Sequence, residues 1–114
     1  MSIKLENMDD TTYLNGSSLK GHLTASFVQI AEVLGEPAFE GKGDKVTTEW
    51  CVRWDNKEED TFGYFSIYDW RYARDFNDDY KDIEWNIGGK SFDDSIASDE
   101  VYKKIVQLQE NNWK

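Results

Sequence analysis

KVTTEWCVRWDNKEEDTFGYFSIYDW, residues 45–70, decides the fold. Its first arm alternates: Val46, Thr48, Trp50, Val52 and Trp54 fall on one side, Thr47, Glu49, Cys51 and Arg53 on the other. A period of two marks a half-buried strand, because successive side chains of extended backbone point to opposite faces. The second arm, residues 61–70, is β-branched and aromatic, with Phe62, Tyr64, Tyr68 and Trp70 on one face and Phe65 and Ile67 on the other. Between the arms, residues 55–60 are too polar for anything but a turn. The stretch reads as a β-hairpin.

What precedes it is covering material. Residues 1–16 are polar, with Ile3, Leu5, Tyr13 and Leu14 as the only anchors, and read as a loosely ordered arm with at most a short edge strand at residues 3–5. Residues 18–24 alternate weakly and predict a short strand. Ser26 followed by Gln29 is a capping-box pattern, each side chain satisfying the other residue's free backbone N–H. Phe27, Ile30, Ala31 and Leu34 then recur at helical spacing, and Gly35 and Pro37 end the run, so a helix is predicted at residues 27–34. So short a helix melts alone and must dock on the hairpin. Residues 38–44 read as a flexible connector.

Beyond the hairpin, residues 71–82 are a polar loop. Ile83, Trp85 and Ile87 alternate and predict a third strand, stopped by Gly88 and Gly89. Val101, Ile105 and Leu108 predict a C-terminal helix at about residues 99–110, with Asp99 and Glu100 suited to its positive N-terminal end. Residues 17–114 thus form a single α+β domain, an antiparallel β-meander with two helices packed on one face. Phe62, Tyr64, Tyr68 and Trp70 cannot share a face with Phe65 and Ile67. One of the two sets therefore points away from the helices, and an uncovered aromatic face marks a contact site.

Composition narrows the function. The 114 residues carry 23 acidic and 13 basic side chains, a formal charge of −10. Such a surface repels nucleic acid and anionic membrane and suits a basic protein partner. The single cysteine, Cys51, excludes an internal disulfide and fits a reducing cytosol. No stretch approaches the roughly 20 apolar residues of a membrane span. Five tryptophans and 15% aromatic residues exceed what a small core ordinarily needs.

Catalytic and cofactor motifs fail on inspection. Gly88, Gly89, Lys90 and Ser91 imitate the end of a phosphate-binding loop, but the glycine required five positions before Gly89 is Glu84. What survives is a turn offering the amides of Gly88 and Gly89 to a ligand. Asp75, Asn77 and Asp79 place oxygens as a calcium loop does, yet Tyr80 stands where glycine belongs and Asn86 where the distal glutamate belongs. His22 has no carboxylate placed against it, and Cys51 sits mid-strand, where a thiol is inert. Asp69, between Tyr68 and Trp70, has apolar neighbours but reads as a structural acceptor. No enzyme, metal or cofactor is expected.

The short runs LGEP at residues 34–37, DKV at 44–46, EW at 49–50, IYDW at 67–70 and WNIGG at 85–89 resemble a group of small bacteriophage accessory proteins. In that group a GEP turn precedes a strand ending in a YDW-type motif and then a WxIGG motif. The likeness covers about residues 18–90, and the chain departs from it by acidic residues 58–60 and by the long 71–82 loop. It implies a protein made during infection, in the cytoplasm of a bacterial host, that disables a host enzyme or defence system. The fold-level analogy lends context rather than chemistry.

The leading expectation is therefore a non-enzymatic phage-type inhibitor binding a host protein through an acidic, aromatic surface. Glu58, Glu59, Asp60, Asp75, Asp78, Asp79, Asp82, Asp93 and Asp94 would steer it, and Tyr68, Trp70 and Trp85 would anchor it. The alternative is an oligomeric sponge for a nucleotide-derived immune signal. There Tyr68, Trp70 and Trp85 stack on a base, Asp69 accepts from a ribose hydroxyl, Arg71, Arg74 or Lys90 holds phosphate, and Gly88 and Gly89 offer amides. A virion structural component is a third expectation.

Overall fold

The computed structural model describes residues 3–10, 14, 16–40, 48–69 and 79–112. At its centre, β4 (Thr48–Asn56) and β5 (Thr61–Tyr68) form the expected hairpin. Their register pairs Trp50 with Ile67, Val52 with Phe65 and Asn56 with Thr61. The turn is built from Asn56, whose Oδ1 accepts the backbone N–H groups of Glu58 at 3.1 Å and Glu59 at 3.3 Å. Asp60 completes it at φ +54°, a conformation aspartate tolerates better than most side chains. Residues 45–47 and 70 of the expected hairpin lie outside the described residues.

The meander continues as read through β6 (Ile83–Gly89), antiparallel to β5, and β2 (Ser18–Ala25), whose partner the sequence did not indicate, pairs antiparallel with β6. Several expectations need correction. Residues 3–5 are part of a full strand, β1 (Ile3–Met8), which pairs with β4 from Ile3–Asn56 to Met8–Cys51. That part of the N-terminal segment is an element of the sheet, not a loose arm. Gly88 and Gly89 do not stop the third strand either: both lie within β6, paired with Ser66 and Phe65 on one side and with Leu19 and Ser18 on the other. A short β3 (Phe39–Glu40) extends the β1 edge against Glu49 and Thr48. The six-stranded sheet runs β1-β4-β5-β6-β2, with β3 also on β4.

Both helices lie on one face. α1 (Phe27–Leu34) has the bounds its caps dictate: Gln29 N–H donates to Ser26 Oγ at 3.2 Å and Ser26 N–H to Gln29 Oε1 at 3.0 Å. Gly35, at φ +94°, turns the chain out of the helix. Its carbonyl accepts the Trp50 indole N–H at 2.9 Å, and the Phe27 ring lies 5.4 Å from that of Trp50. α2 (Phe92–Asn112) starts well before residue 99 and brings Ala97, Val101 and Ile105 onto the sheet. Trp50, Val52, Phe65, Ile67, Trp85 and Ile30 are wholly buried between the layers, with Trp50 and Trp85 edge to face at 5.4 Å.

Candidate functional site

The buried hairpin residues Trp50, Val52, Phe65 and Ile67 face the helices, so the alternate set faces away. On that helix-free face the register sets Glu49 opposite Tyr68, Cys51 opposite Ser66, Arg53 opposite Tyr64 and Asp55 opposite Phe62. The sequence left open which aromatic set points outward; it is Phe62, Tyr64 and Tyr68.

At the turn end these residues form a connected platform. The Arg53 guanidinium lies over the Phe62 ring at 4.3 Å and over Tyr64 at 5.8 Å. It donates to Tyr64 Oη at 3.2 Å and to both oxygens of Asp55 at 3.2 and 3.3 Å. Those bonds, to Asp55 first and then Tyr64, hold the guanidinium proton more firmly still. Phe62 and Tyr64 meet edge to face at 6.4 Å. The arginine thus touches both rings and restrains them. Phe62 remains 59% exposed, and Lys57, Glu58, Glu59 and Asp60 beside it are exposed as well.

Further along the same face the environment is drier. Burial pushes Glu49 above the usual carboxylate range. Burial, then the nearby carboxylates of Glu49 and Asp10, pushes the Cys51 thiol up to about 11. Tyr68 is raised by burial and then by Glu49. A thiol held in this way stays protonated at neutral pH and is a poor nucleophile.

The structure separates the expected site residues. Tyr68 is half-buried on the helix-free face. Asp69 is wholly buried and accepts the Thr48 backbone N–H at 2.9 Å, while its own N–H donates to Thr48 O at 3.2 Å. It closes the open end of the hairpin. Trp85, expected as a binding ring, is instead a core residue with no exposure, its indole N–H donating to Ala25 O at 3.0 Å. Gly88 lies beneath Tyr68, where a Cβ would meet Ser66 Oγ at 2.5 Å and the tyrosine ring at 3.3 Å. With Gly88 and Gly89 paired on both sides, the expected amide-bearing turn does not form. Trp70, Arg71, Arg74, Asp75 and Asp78 lie outside the described residues.

The acids also divide. Glu58, Glu59, Asp60, Asp82 and Asp93 are exposed and Asp79 is half-buried. Asp94, expected on the acidic surface, is buried. Its carboxylate accepts the Trp54 indole N–H at 2.8 Å and the backbone N–H groups of Lys90 at 2.8 Å and Ser91 at 3.1 Å. The amides that the phosphate-loop imitation would offer beyond the glycines are thus taken by the chain's own carboxylate. The nucleotide reading accordingly finds Trp85 and Asp69 committed to the fold. His22 stands 3.9 Å from Glu84 on an exposed part of the sheet.

Arg53 and Asp55 were missed as site residues, and Phe62 and Tyr64 were read only as part of a possible outward set and not as binding residues, although a signal for them exists. A four-residue turn at 57–60 fixes the register of the arms, and that register alone sets Arg53 against Tyr64. Among the described residues no three His, Cys, Asp or Glu side chains are grouped to hold a metal ion. No described helix is long and apolar enough to cross a membrane. In comparisons with known proteins, no family model, no curated protein and no solved structure matches the chain.

Proposed function

We propose that this chain is a non-enzymatic binding protein of the phage accessory type, inhibiting a bacterial host protein by laying the turn end of its β4–β5 hairpin on a basic surface. One adjacency carries the reading: the exposed Phe62, braced by Arg53 and Tyr64, stands beside the exposed carboxylates of Glu58, Glu59 and Asp60. An aromatic ring desolvated on contact supplies affinity, and clustered charge speeds encounter with a surface of opposite sign. Bracing matters because a ring already held in place loses little freedom on binding. The formal charge of −10 extends the attraction beyond the contact itself.

The test is capture of host protein from bacterial lysate on the immobilised chain, compared with two variants. Phe62→Ala is expected to weaken capture by roughly 30-fold, the effect of losing an anchor worth about 2 kcal/mol. Replacing the acids together, as Glu58→Gln, Glu59→Gln and Asp60→Asn, is expected to slow association and flatten its salt dependence. Equal capture by the original chain and both variants would place the binding surface elsewhere.

A further inference from the structure

β1 is the edge of the sheet opposite β2, paired with β4 on one side and, among the described residues, with no strand on the other. Such an edge presents backbone N–H and C=O groups as a template for another strand. Its side chains narrow what that strand can be. Lys4 and Glu6 lie on the helix-free face, opposite Asp55 and Arg53 of β4, and Ile3 and Leu5 lie on the helix face. A groove of about 450 Å³ opens at this edge, lined by the apolar Ile3, Leu5, Val33 and Leu34 together with Lys4, Asn7 and Lys104. The four apolar residues are only partly buried, so this end of the core is incompletely covered.

Two copies meeting edge to edge around a two-fold axis normal to the sheet keep their helices on one side. Only residues of the same face can then oppose each other, which leaves Leu5 and Glu6 as the centres that pair five of the six residues of β1. A centre at Glu6 opposes two glutamates, and like charges across a strand pair repel. A centre at Leu5 does the reverse. Lys4 faces the partner's Glu6, Glu6 faces the partner's Lys4, and Leu5 meets the partner's Leu5. With the β4 pairings added, the rows crossing the seam read Asp55, Lys4, the partner's Glu6, the partner's Arg53, alternating in sign throughout.

We infer that a second copy of this chain docks along β1 in the Leu5-centred register, joining two sheets into one. The net charge of each copy opposes approach, but at about 0.15 M salt repulsion is screened beyond about 8 Å, and the seam contacts survive. The inference rests on β1 and is independent of the role of the hairpin turn.

Light scattering on the full chain over a concentration series, at about 0.15 M salt, tests it. The unmodified chain is expected to dimerise. Lys4→Glu and Glu6→Lys should each weaken association by roughly tenfold or more, as both charge pairs turn repulsive. The two substitutions together should restore the dimer, because opposite charges again face each other across the seam. Circular dichroism checks that the variants are folded. Leu5→Cys provides a readout independent of charge: directly opposed residues lie within disulfide reach, so oxidation should give a covalent dimer, whereas Asn7→Cys should not. A chain that is monomeric at every concentration, a dimer indifferent to both single charge changes, or no cross-link from Leu5→Cys would overturn the inference.

Discussion

The Asp94 carboxylate accepts the Trp54 indole N–H at 2.8 Å, joining two residues 40 apart in the chain and tying the first turn of α2 to β4. The same carboxylate caps the helix by accepting from Lys90 and Ser91. Gly63 permits the contact, since a Cβ there would strike Asp94 Oδ1 and come within 2.7 Å of Trp54 Nε1. Asp94→Ala leaves a buried indole N–H without an acceptor and two amides uncapped, and should cost about 3 kcal/mol. Gly63→Ala should also destabilise, and the two effects together should be less than their sum because both act on one contact. Urea denaturation midpoints of the single and double variants check this.

Two aromatic rings should respond oppositely to removal. Trp85 has no exposure and fills the centre of the core, so Trp85→Ala is expected to lose about 3–5 kcal/mol of stability or to prevent folding. Phe62 is 59% exposed, and Phe62→Ala should stay within about 1 kcal/mol of the unmodified chain. Thermal melts separate them. A large loss at Phe62 would mean that its ring supports the fold rather than serving a partner.

Stability should fall at alkaline pH for a local reason. The folded chain holds the Cys51 proton up to about 11, whereas the ordinary value is 9.0. The stabilisation is therefore fully present below pH 9.0 and is lost as pH rises through about 11. Tyr68, raised from 10.0, acts with the same sign at the upper end. Denaturation at about pH 8 and about pH 10.5 should show a steep loss in the unmodified chain and a shallower one in Cys51→Ala. Equal slopes would remove Cys51 as the cause.

What was legible in the sequence was whatever its local pattern determines. The Ser26–Gln29 box and Gly35 bound α1, and alternation across a polar turn gave the hairpin. Of β1 only residues 3–5 were legible, because the alternation of Ile3, Lys4, Leu5 and Glu6 breaks at Asn7, the next position on the helix face, and its partner lies near residue 56. The start of α2 was hidden because Ser91 and Asp94 form the polar part of a cap that read as a failed phosphate loop beside surface acid. Of the candidate site, the exposed acids and the existence of an outward aromatic set could be read. Asp69 already read as a structural acceptor, whereas which set it was, and that Trp85 belongs to the fold, depended on how the strands and helices come together.

The association rate of the chain with its captured host partner, followed as ionic strength is raised, tests the hairpin-turn surface most directly. The rate should drop steeply with salt for the unmodified chain and shallowly for the chain carrying Glu58→Gln, Glu59→Gln and Asp60→Asn, with Phe62→Ala acting on dissociation instead. A rate indifferent to salt, or an identical slope with and without those three carboxylates, would contradict it.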